Sequence, residues 1–314
     1  MIKKIIIYFL ITTTLLYGLR YLHYKGLLKQ KEGYYDKYNT AFFKKNNFNV
    51  LFLGSSRAEM HYDTRVFDSL TGANSFNLSL AGANPQIAFA ALKTYLQNSK
   101  APHYLIYEID YHYLKYKNTE IKEFNNYFPY LSNKELRSQF SKVDARMNHF
   151  YYDAYYSFPF TGFKNISTSL HGWLNIPNQI DSLYYKGYFK ESLRPALKFV
   201  HIEPYFSFCH KTNRDYIDSI ISICKQNNTQ VTLVSSPIFG GGKIDLCNKQ
   251  QIVNQMQNIA KINNICYYDL SSLVFCNQRQ LFIDHYHLNY LGAEKYTRYF
   301  CTVFNNKIAT ISLK

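Results

Sequence analysis

A serine in the first fifth of the chain and an aspartate–histidine pair near residue 285 have the side chains that acyl-transfer chemistry needs. Ser56 follows an apolar run that ends in glycine. Asp284 and His287 are three residues apart, so one turn can set the carboxylate against Nδ1–H and leave Nε2 free to accept a serine proton. His285 is a competing ring, but the spacing favours His287. Taken singly, these residues also suit helix caps; together they predict a nucleophile with its base and orienting acid.

A second turn supplies candidate donors for the negative charge that develops on a carbonyl oxygen. Gly82 follows the second predicted strand, and Asn84 precedes a predicted helix. We expect the N–H groups of Ser56 and Gly82 and the side chain of Asn84 to form an oxyanion hole. For Asn84 alone, an ordinary turn role is the stronger alternative.

Alternating strands and helices must position these residues. Short apolar runs predict strands at 49–54, 75–80, 104–109, 231–235 and 265–270. Helical spacing of apolar residues predicts helices at 86–97, 213–225, 250–262 and 290–304. This alternation indicates an α/β fold with a doubly wound parallel sheet of about five strands. Residues 111–205 break the pattern and predict a long insertion over the strand ends, where open α/β sheets bind ligands.

The order and placement of these motifs resemble the SGNH/GDSL hydrolase superfamily over about residues 48–110 and 230–305. The matching features are Gly54-Ser55-Ser56, Gly82 and Asp284-x-x-His287. The resemblance implies a flavodoxin-like sheet with Ser56 as nucleophile, His287 as base and Asp284 as its orienter. With an apolar N-terminus, the sequence looks like the envelope branches of the family, which include polysaccharide O-acyltransfer proteins and D-alanylation accessory proteins of cell walls.

One block departs from the family pattern. The third strand of the family usually leads into Gly-x-Asn-Asp, whose asparagine donates to the oxyanion, whereas here Asp110 stands in the run 107–112 without an asparagine. An anionic Asp110 beside an oxyanion is unfavourable unless it is neutralised, and Arg57 is the candidate partner. The departure motivates an alternative function, a weakly active or inactive SGNH-fold accessory protein that binds a glycan, an acyl carrier or a membrane partner.

The N-terminal segment has the composition of a membrane anchor. Residues 5–19 carry no charge and span ~22 Å as a helix, short of a ~30 Å hydrocarbon core. Arg20 can snorkel and lengthen the segment, and no small-x-small cleavage site follows it. We therefore predict a single transmembrane helix over 1–22, a juxtamembrane connector over 23–47 and an SGNH-like domain over 48–314.

The charge balance bears on partners and on the compartment. The formal net charge is +15, and the basic residues cluster around the apolar N-terminal segment. This clustering suits anionic lipid headgroups, and no nucleic-acid-binding motif accompanies it, so we expect no nucleic-acid partner. We predict an extracytoplasmic domain, since large domains translocate largely regardless of flanking charge, although the basic residues after the anchor oppose this orientation.

Six cysteines lie in the last third of the chain. Their even number is compatible with disulfides in an oxidising compartment, and their spacings match no metal motif. We expect no metal and no cofactor.

These observations predict a membrane-anchored serine esterase or O-acyltransferase that uses Ser56, His287 and Asp284. The resemblance alone suggests the substrate, acyl groups of a cell-envelope glycan. The expected partners are therefore an acylated glycan or acyl donor, the membrane and a membrane O-acyltransferase.

Overall fold

One parallel sheet forms the centre of the structure, a computed structural model that describes residues 1–31, 33–115, 120–161, 165–176, 183–191, 203–242 and 246–308. The strands in this part of the chain are β1 (Val50–Leu53), β2 (Ser75–Asn77), β3 (Tyr104–Glu108), β4 (Tyr184–Tyr185), β5 (Tyr188–Phe189), β6 (Gln230–Ser235) and β7 (Cys266–Asp269). The sheet order is β2-β1-β3-β6-β7, and all four pairings are parallel. The predicted five-stranded α/β sheet is confirmed. Its order reverses between β1 and β3, the switch point at which such sheets bind ligands.

Helices cover both faces of the sheet. They are α1 (Ile2–Leu28), α2 (Gly33–Phe42), α3 (Ser56–His61), α4 (Thr64–Thr71), α5 (Pro85–Asn98), α6 (Tyr111–Leu114), α7 (Lys134–Val143), α8 (Arg146–Tyr152), α9 (Ala154–Thr161), α10 (Ile166–Leu174), α11 (Lys211–Gln226), α12 (Lys249–Asn263) and α13 (Tyr290–Ile308). Successive residues of a strand point to opposite faces. Leu51 and Leu53 accordingly join the core cluster with α5, α11 and α12, whereas Val50 and Phe52 join the one with α4 and α13.

The N-terminal region is more structured than a simple anchor and connector. Helix α1 runs six residues past the predicted anchor end, and by length and composition it is able to cross a membrane. The predicted connector contains α2, whose Tyr35, Tyr38 and Phe42 are buried. Their spacing places them on one helical face, which packs under the insertion. The stretch 23–47 is therefore part of the packed structure rather than a bare tether.

The insertion is mainly helical. It holds α6–α10, a 3₁₀ segment at Phe124–Ser132 and the antiparallel hairpin β4–β5. The hairpin lies beside β2, where Asn77 N–H donates to Lys186 O at 2.9 Å. The insertion approaches the strand ends at Lys122, whose side chain lies against Gly82.

The cysteines form no disulfide. All six lie in the part of the chain that the structure describes, with Cys224 buried in the core and Cys266 half-buried. The pairing that their even number permits is therefore absent, and the cysteines give no support to an oxidising compartment.

Candidate active site

Ser56, His287 and Asp284 form a continuous hydrogen-bonded chain. Ser56 Oγ lies 2.9 Å from His287 Nε2, and His287 Nδ1 lies 2.8 Å from Asp284 Oδ2. The carboxylate accepts only, so the bond network assigns the ring proton to Nδ1 and leaves Nε2 as an acceptor towards the serine hydroxyl. The half-buried His287, and not its neighbour His285, faces the serine. This geometry suits a base that removes a proton from a nucleophile.

Asp284 is held in its ionised form. Besides the imidazole, its Oδ1 accepts the N–H groups of Tyr286 at 2.7 Å and His287 at 2.8 Å. Burial by itself raises the pKa of Asp284, but the hydrogen bonds from His287 and from these amides outweigh burial and leave the pKa below its usual value. The carboxylate is therefore able to orient the ring and to stabilise it when it becomes protonated.

The two adjacent serines have different roles. Ser55 is buried and caps α3, since its Oγ accepts the N–H of Arg57 at 3.2 Å and donates to Asp110 Oδ2 at 2.7 Å. Ser56, the first residue of α3, is half-buried and turns towards His287. Gly54 makes this sharp turn, because its φ is +154° and a Cβ there would lie 2.8 Å from the Cβ of Ala58. The cap role and the nucleophile position thus fall on neighbouring residues.

The three predicted oxyanion donors differ in how the structure positions them. Ser56 contributes a first-turn N–H group, which has no acceptor within its own helix. Gly82 lies in the loop between β2 and α5 with φ +71°, a conformation that favours glycine. Asn84 instead caps α5: its Oδ1 accepts the N–H of Ile87 at 3.0 Å, and its Nδ2 lies 3.4 Å from Asn213 Oδ1. The structure therefore shows Asn84 as a helix cap, and its donation to an oxyanion stays a prediction.

A pair of substitutions at Asn84 tests this assignment. Asn84→Ser keeps a capping oxygen but removes the amide donor, so ester hydrolysis should stay within a few-fold of wild type. Asn84→Ala removes the cap and should cost about 1 kcal/mol of stability, measured by thermal unfolding. A loss of about 10²–10³ in kcat for Asn84→Ser would restore the residue to the oxyanion hole.

Arg57 neutralises the carboxylates behind the serine. Its guanidinium is buried, with Nη1 3.7 Å from Asp110 Oδ1 and 3.4 Å from Glu108 Oε1. The predicted pairing of Arg57 with Asp110 is present, and Glu108 is a second partner that the sequence did not indicate. Asp110 also caps α6 by accepting the N–H of His112 at 3.0 Å. Its carboxylate is thus held by Ser55, Arg57 and the α6 backbone.

The charges in this cluster shift one another's pKa values. Burial raises the pKa of Glu108 to about 7; Arg57 acts against this rise and Asp110 adds to it. Burial by itself lowers the pKa of Arg57, but Glu108 and Asp110 outweigh it and place the pKa above its usual value. Arg57 therefore stays charged and is the fixed cation of the cluster.

His61 is a residue that the sequence analysis missed. Its Nε2 accepts the N–H of Leu288, next to His287, at 3.0 Å, and its Nδ1 lies 2.8 Å from Ser236 Oγ. Burial, with the positive charge of Arg57, holds the pKa of His61 well below its usual value. Neutral His61 therefore links the loop that contains His287 to α3, the helix that begins with Ser56. The sequence feature that could have identified His61 is its position four residues after Arg57, in the short helix that follows the candidate nucleophile.

No metal site accompanies these residues. Among the residues that the structure describes, no group of three or more His, Cys, Asp or Glu side chains is arranged to hold a metal ion.

Comparisons with known proteins add little to this geometry. A protein-family model matches residues 191–309, a region that contains Asp284 and His287 but not Ser56, and it carries no functional description. No curated protein matches the sequence. A solved structure from Bacteroides fragilis, provisionally described as an acylhydrolase, is 12% identical over 87% of this chain and 94% of its own, with a TM-score of 0.39. A likeness at that level carries no conclusion.

Proposed function

We propose that the protein is an SGNH-type serine esterase or O-acyltransferase. The observation that carries the proposal is the chain of contacts from Ser56 Oγ through His287 to Asp284. In the first step Ser56 Oγ attacks the acyl carbonyl carbon while its proton passes to His287 Nε2. The bond from the acyl carbon to the alcohol oxygen then breaks, and His287 returns the proton to that oxygen. Water or a second hydroxyl resolves the acyl-enzyme by the reverse path.

The N–H groups of Ser56 and Gly82 would stabilise the oxyanion in both steps. Solvent reaches the base, because the His287 side chain is 22% exposed and that of Asp284 is 38% exposed. For the ester substrate we propose an O-acylated glycan of the cell envelope, reached by a domain that α1 tethers outside the cytoplasm. The family resemblance supports this part of the proposal, as it does a membrane O-acyltransferase partner.

One observation favours the second candidate, a non-catalytic accessory protein. Asp110 occupies the place at which the family has an oxyanion-donating asparagine, and its carboxylate is engaged by Ser55 and Arg57. The hole therefore has one donor fewer than the family pattern, and loss of one such donor costs about 10²–10³ in rate. A weakened hole still supports slow acylation, so the two candidates are separable by a covalent probe.

The test is labelling of the full-length protein in detergent with a fluorescent fluorophosphonate. Wild type should be labelled and Ser56→Ala should not, because Ser56 Oγ is half-buried and lies 2.9 Å from Nε2 of the proposed base His287. Ser55→Ala is the matched control and should keep its labelling, with a modest loss of thermal stability from the missing cap. A folded wild-type protein that stays unlabelled, or a Ser56→Ala variant that labels as wild type does, supports the accessory role.

The proposed location has its own test. If α1 holds the domain outside the cytoplasm, a C-terminal alkaline phosphatase fusion should be active and a C-terminal green fluorescent protein fusion should be dark. The opposite pair of results would place the site in the cytoplasm, where an envelope glycan is available only before its export.

A further inference from the structure

An exposed apolar surface lies on the insertion, away from the candidate active site. We call it the α9–α10 face; its exposed members are Tyr155, Phe160, Ile166, Leu170, Trp173 and Leu174. The exposed fraction reaches 54% for Leu170 and 66% for Leu174. From residue 154 to residue 176 the sequence contains one charged side chain, Lys164. An exposed group of large apolar side chains of this kind marks contact with another apolar phase or molecule.

The α9–α10 face runs alongside α1. At its upper end Trp173 Nε1 donates to the carbonyl oxygen of Leu22 at 3.0 Å. At its lower end Tyr155 stacks on Phe9, with ring centroids 6.4 Å apart and planes 8° from parallel. Leu22 and Phe9 are separated by ~20 Å along the helix axis at ~1.5 Å per residue. The face therefore follows α1 through more than half of a ~30 Å hydrocarbon core.

The one charge on this length of α1 is satisfied by the insertion itself. Arg20 donates to the carbonyl oxygen of Phe150 at 2.8 Å and to that of Tyr151, and its guanidinium lies over the ring of Phe128. These partners satisfy the Nη2 donors from within the protein and so reduce the cost of placing the guanidinium next to lipid. A charged side chain that is paired within the protein can lie at membrane depth.

Basic and aromatic residues mark the level at which the membrane would end. Lys29 lies over the Trp173 ring, 3.7 Å from its centroid, and Lys25 lies over Tyr21 and Tyr24. Tryptophan and tyrosine concentrate at membrane–water interfaces, and lysines above them contact anionic headgroups. Below this level, from Ile5 to Leu22 on α1 and over the described residues of α9 and α10, the exposed side chains carry no charge.

We propose that the α9–α10 face is embedded in the bilayer beside α1, so that the protein is held by α1 and by a second membrane-inserted element. The reason is continuity: Phe9 and Leu22 contact Tyr155 and Trp173 directly, so placing this part of α1 in lipid places their neighbours in lipid too. The occupant of the face is therefore lipid acyl chains rather than a soluble protein.

The single tryptophan of the sequence is a built-in reporter. The full-length protein is reconstituted into vesicles of phosphatidylcholine and phosphatidylglycerol, with and without brominated acyl chains. Trp173 fluorescence should be strongly quenched by the brominated lipids and little affected by aqueous iodide. The control Trp173→Phe/Tyr299→Trp moves the reporter to an exposed position on α13 and should show the opposite pattern.

A second reporter tests the other helix. In Trp173→Phe/Phe160→Trp the tryptophan lies on α9, and brominated lipids should again quench it. Quenching of either reporter by iodide alone would overturn the proposal, because the face would then lie in water. Protection from both quenchers would overturn it as well, since a second copy of the chain or another protein would then cover the face.

Discussion

The double variant Ser56→Ala/His287→Ala is expected to hydrolyse an activated ester no more slowly than either single variant, and each of the three should lose about 10⁶ in kcat. The nucleophile and its base act as one unit across the 2.9 Å contact between Oγ and Nε2. Once either side chain is removed, the remaining one no longer contributes to the reaction, because the proton transfer needs both. Asp284→Asn should lose less, about 10⁴, because an amide holds the ring in the wrong tautomer while the serine and the imidazole remain.

The measurement is the steady-state hydrolysis of a p-nitrophenyl ester by the full-length protein in detergent, with far-ultraviolet circular dichroism as the check of folding. His285→Ala is the matched control, because it removes the neighbouring ring, which does not face the serine, and should keep kcat within a few-fold. Losses that multiply in the double variant would mean that Ser56 and His287 act independently. That result would remove the proposed mechanism even if both single variants were impaired.

The parts of this site that the sequence predicts are those set by short-range pattern and by sheet topology. Asp284 and His287 are close in the chain, so their contact follows from spacing. Ser56 and His287 are 231 residues apart. The sequence places Ser56 at the ligand-binding edge of the sheet, because Ser56 follows a predicted parallel strand and that edge gathers the carboxyl ends of the strands. That His287 meets Ser56 there is what the family resemblance implies.

The parts that escape prediction depend on burial. An asparagine before a helix suits both a cap and an oxyanion donor, and the cap became visible only through the contact of Asn84 Oδ1 with Ile87 N–H. The neutral state of His61 and the raised pKa of Glu108 both come from complete burial around Arg57, which a single sequence does not reveal.

The same limit applies to α2. The mean composition of residues 23–47 is polar and basic, whereas three aromatic residues at helical spacing decide its packing. The partners of this face come from the insertion, about 90 residues later in the chain. The Tyr38 ring stacks on the Tyr127 ring, with centroids 5.0 Å apart, and the Tyr130 hydroxyl donates to the carbonyl oxygen of Tyr35 at 2.9 Å. A segment whose composition resembles that of a linker is therefore buried in the core when a distant segment packs against its aromatic face.

Replacing Arg57 by methionine should destabilise the protein by roughly 3–5 kcal/mol at pH 8, because it leaves buried carboxylates without their cation. Glu108 and Asp110 both lie within 4 Å of the guanidinium, and the Arg57 and Glu108 side chains are almost fully buried. Asp110 keeps its hydrogen bonds from Ser55 and His112, whereas Glu108 keeps only its hydrogen bonds from Ser236 among its described contacts. Most of the loss should therefore come from Glu108.

This loss should depend on pH in a defined direction. A carboxyl whose pKa is higher in the folded state than in the unfolded state stabilises the fold at low pH, and this stability is lost as the pH rises through the folded pKa. The folded pKa of Glu108 is already about 7 with Arg57 present, and Arg57 lowers it. Without the guanidinium the pKa rises further, so Glu108 is protonated at pH 6 and the deficit of Arg57→Met should be smaller there than at pH 8.

Thermal unfolding at pH 6 and pH 8 measures the deficit, and Arg57→Met/Glu108→Gln isolates its cause. The glutamine removes the titrating group while keeping its shape, so the double variant should be more stable than Arg57→Met at pH 8 and should lose most of the pH dependence. Arg65→Met is the surface control: its side chain is 42% exposed beside Asp63, and such a pair contributes at most about 1 kcal/mol. An Arg57→Met deficit of equal size at both pH values would mean that lost packing of the long side chain, and not uncompensated charge, destabilises the variant.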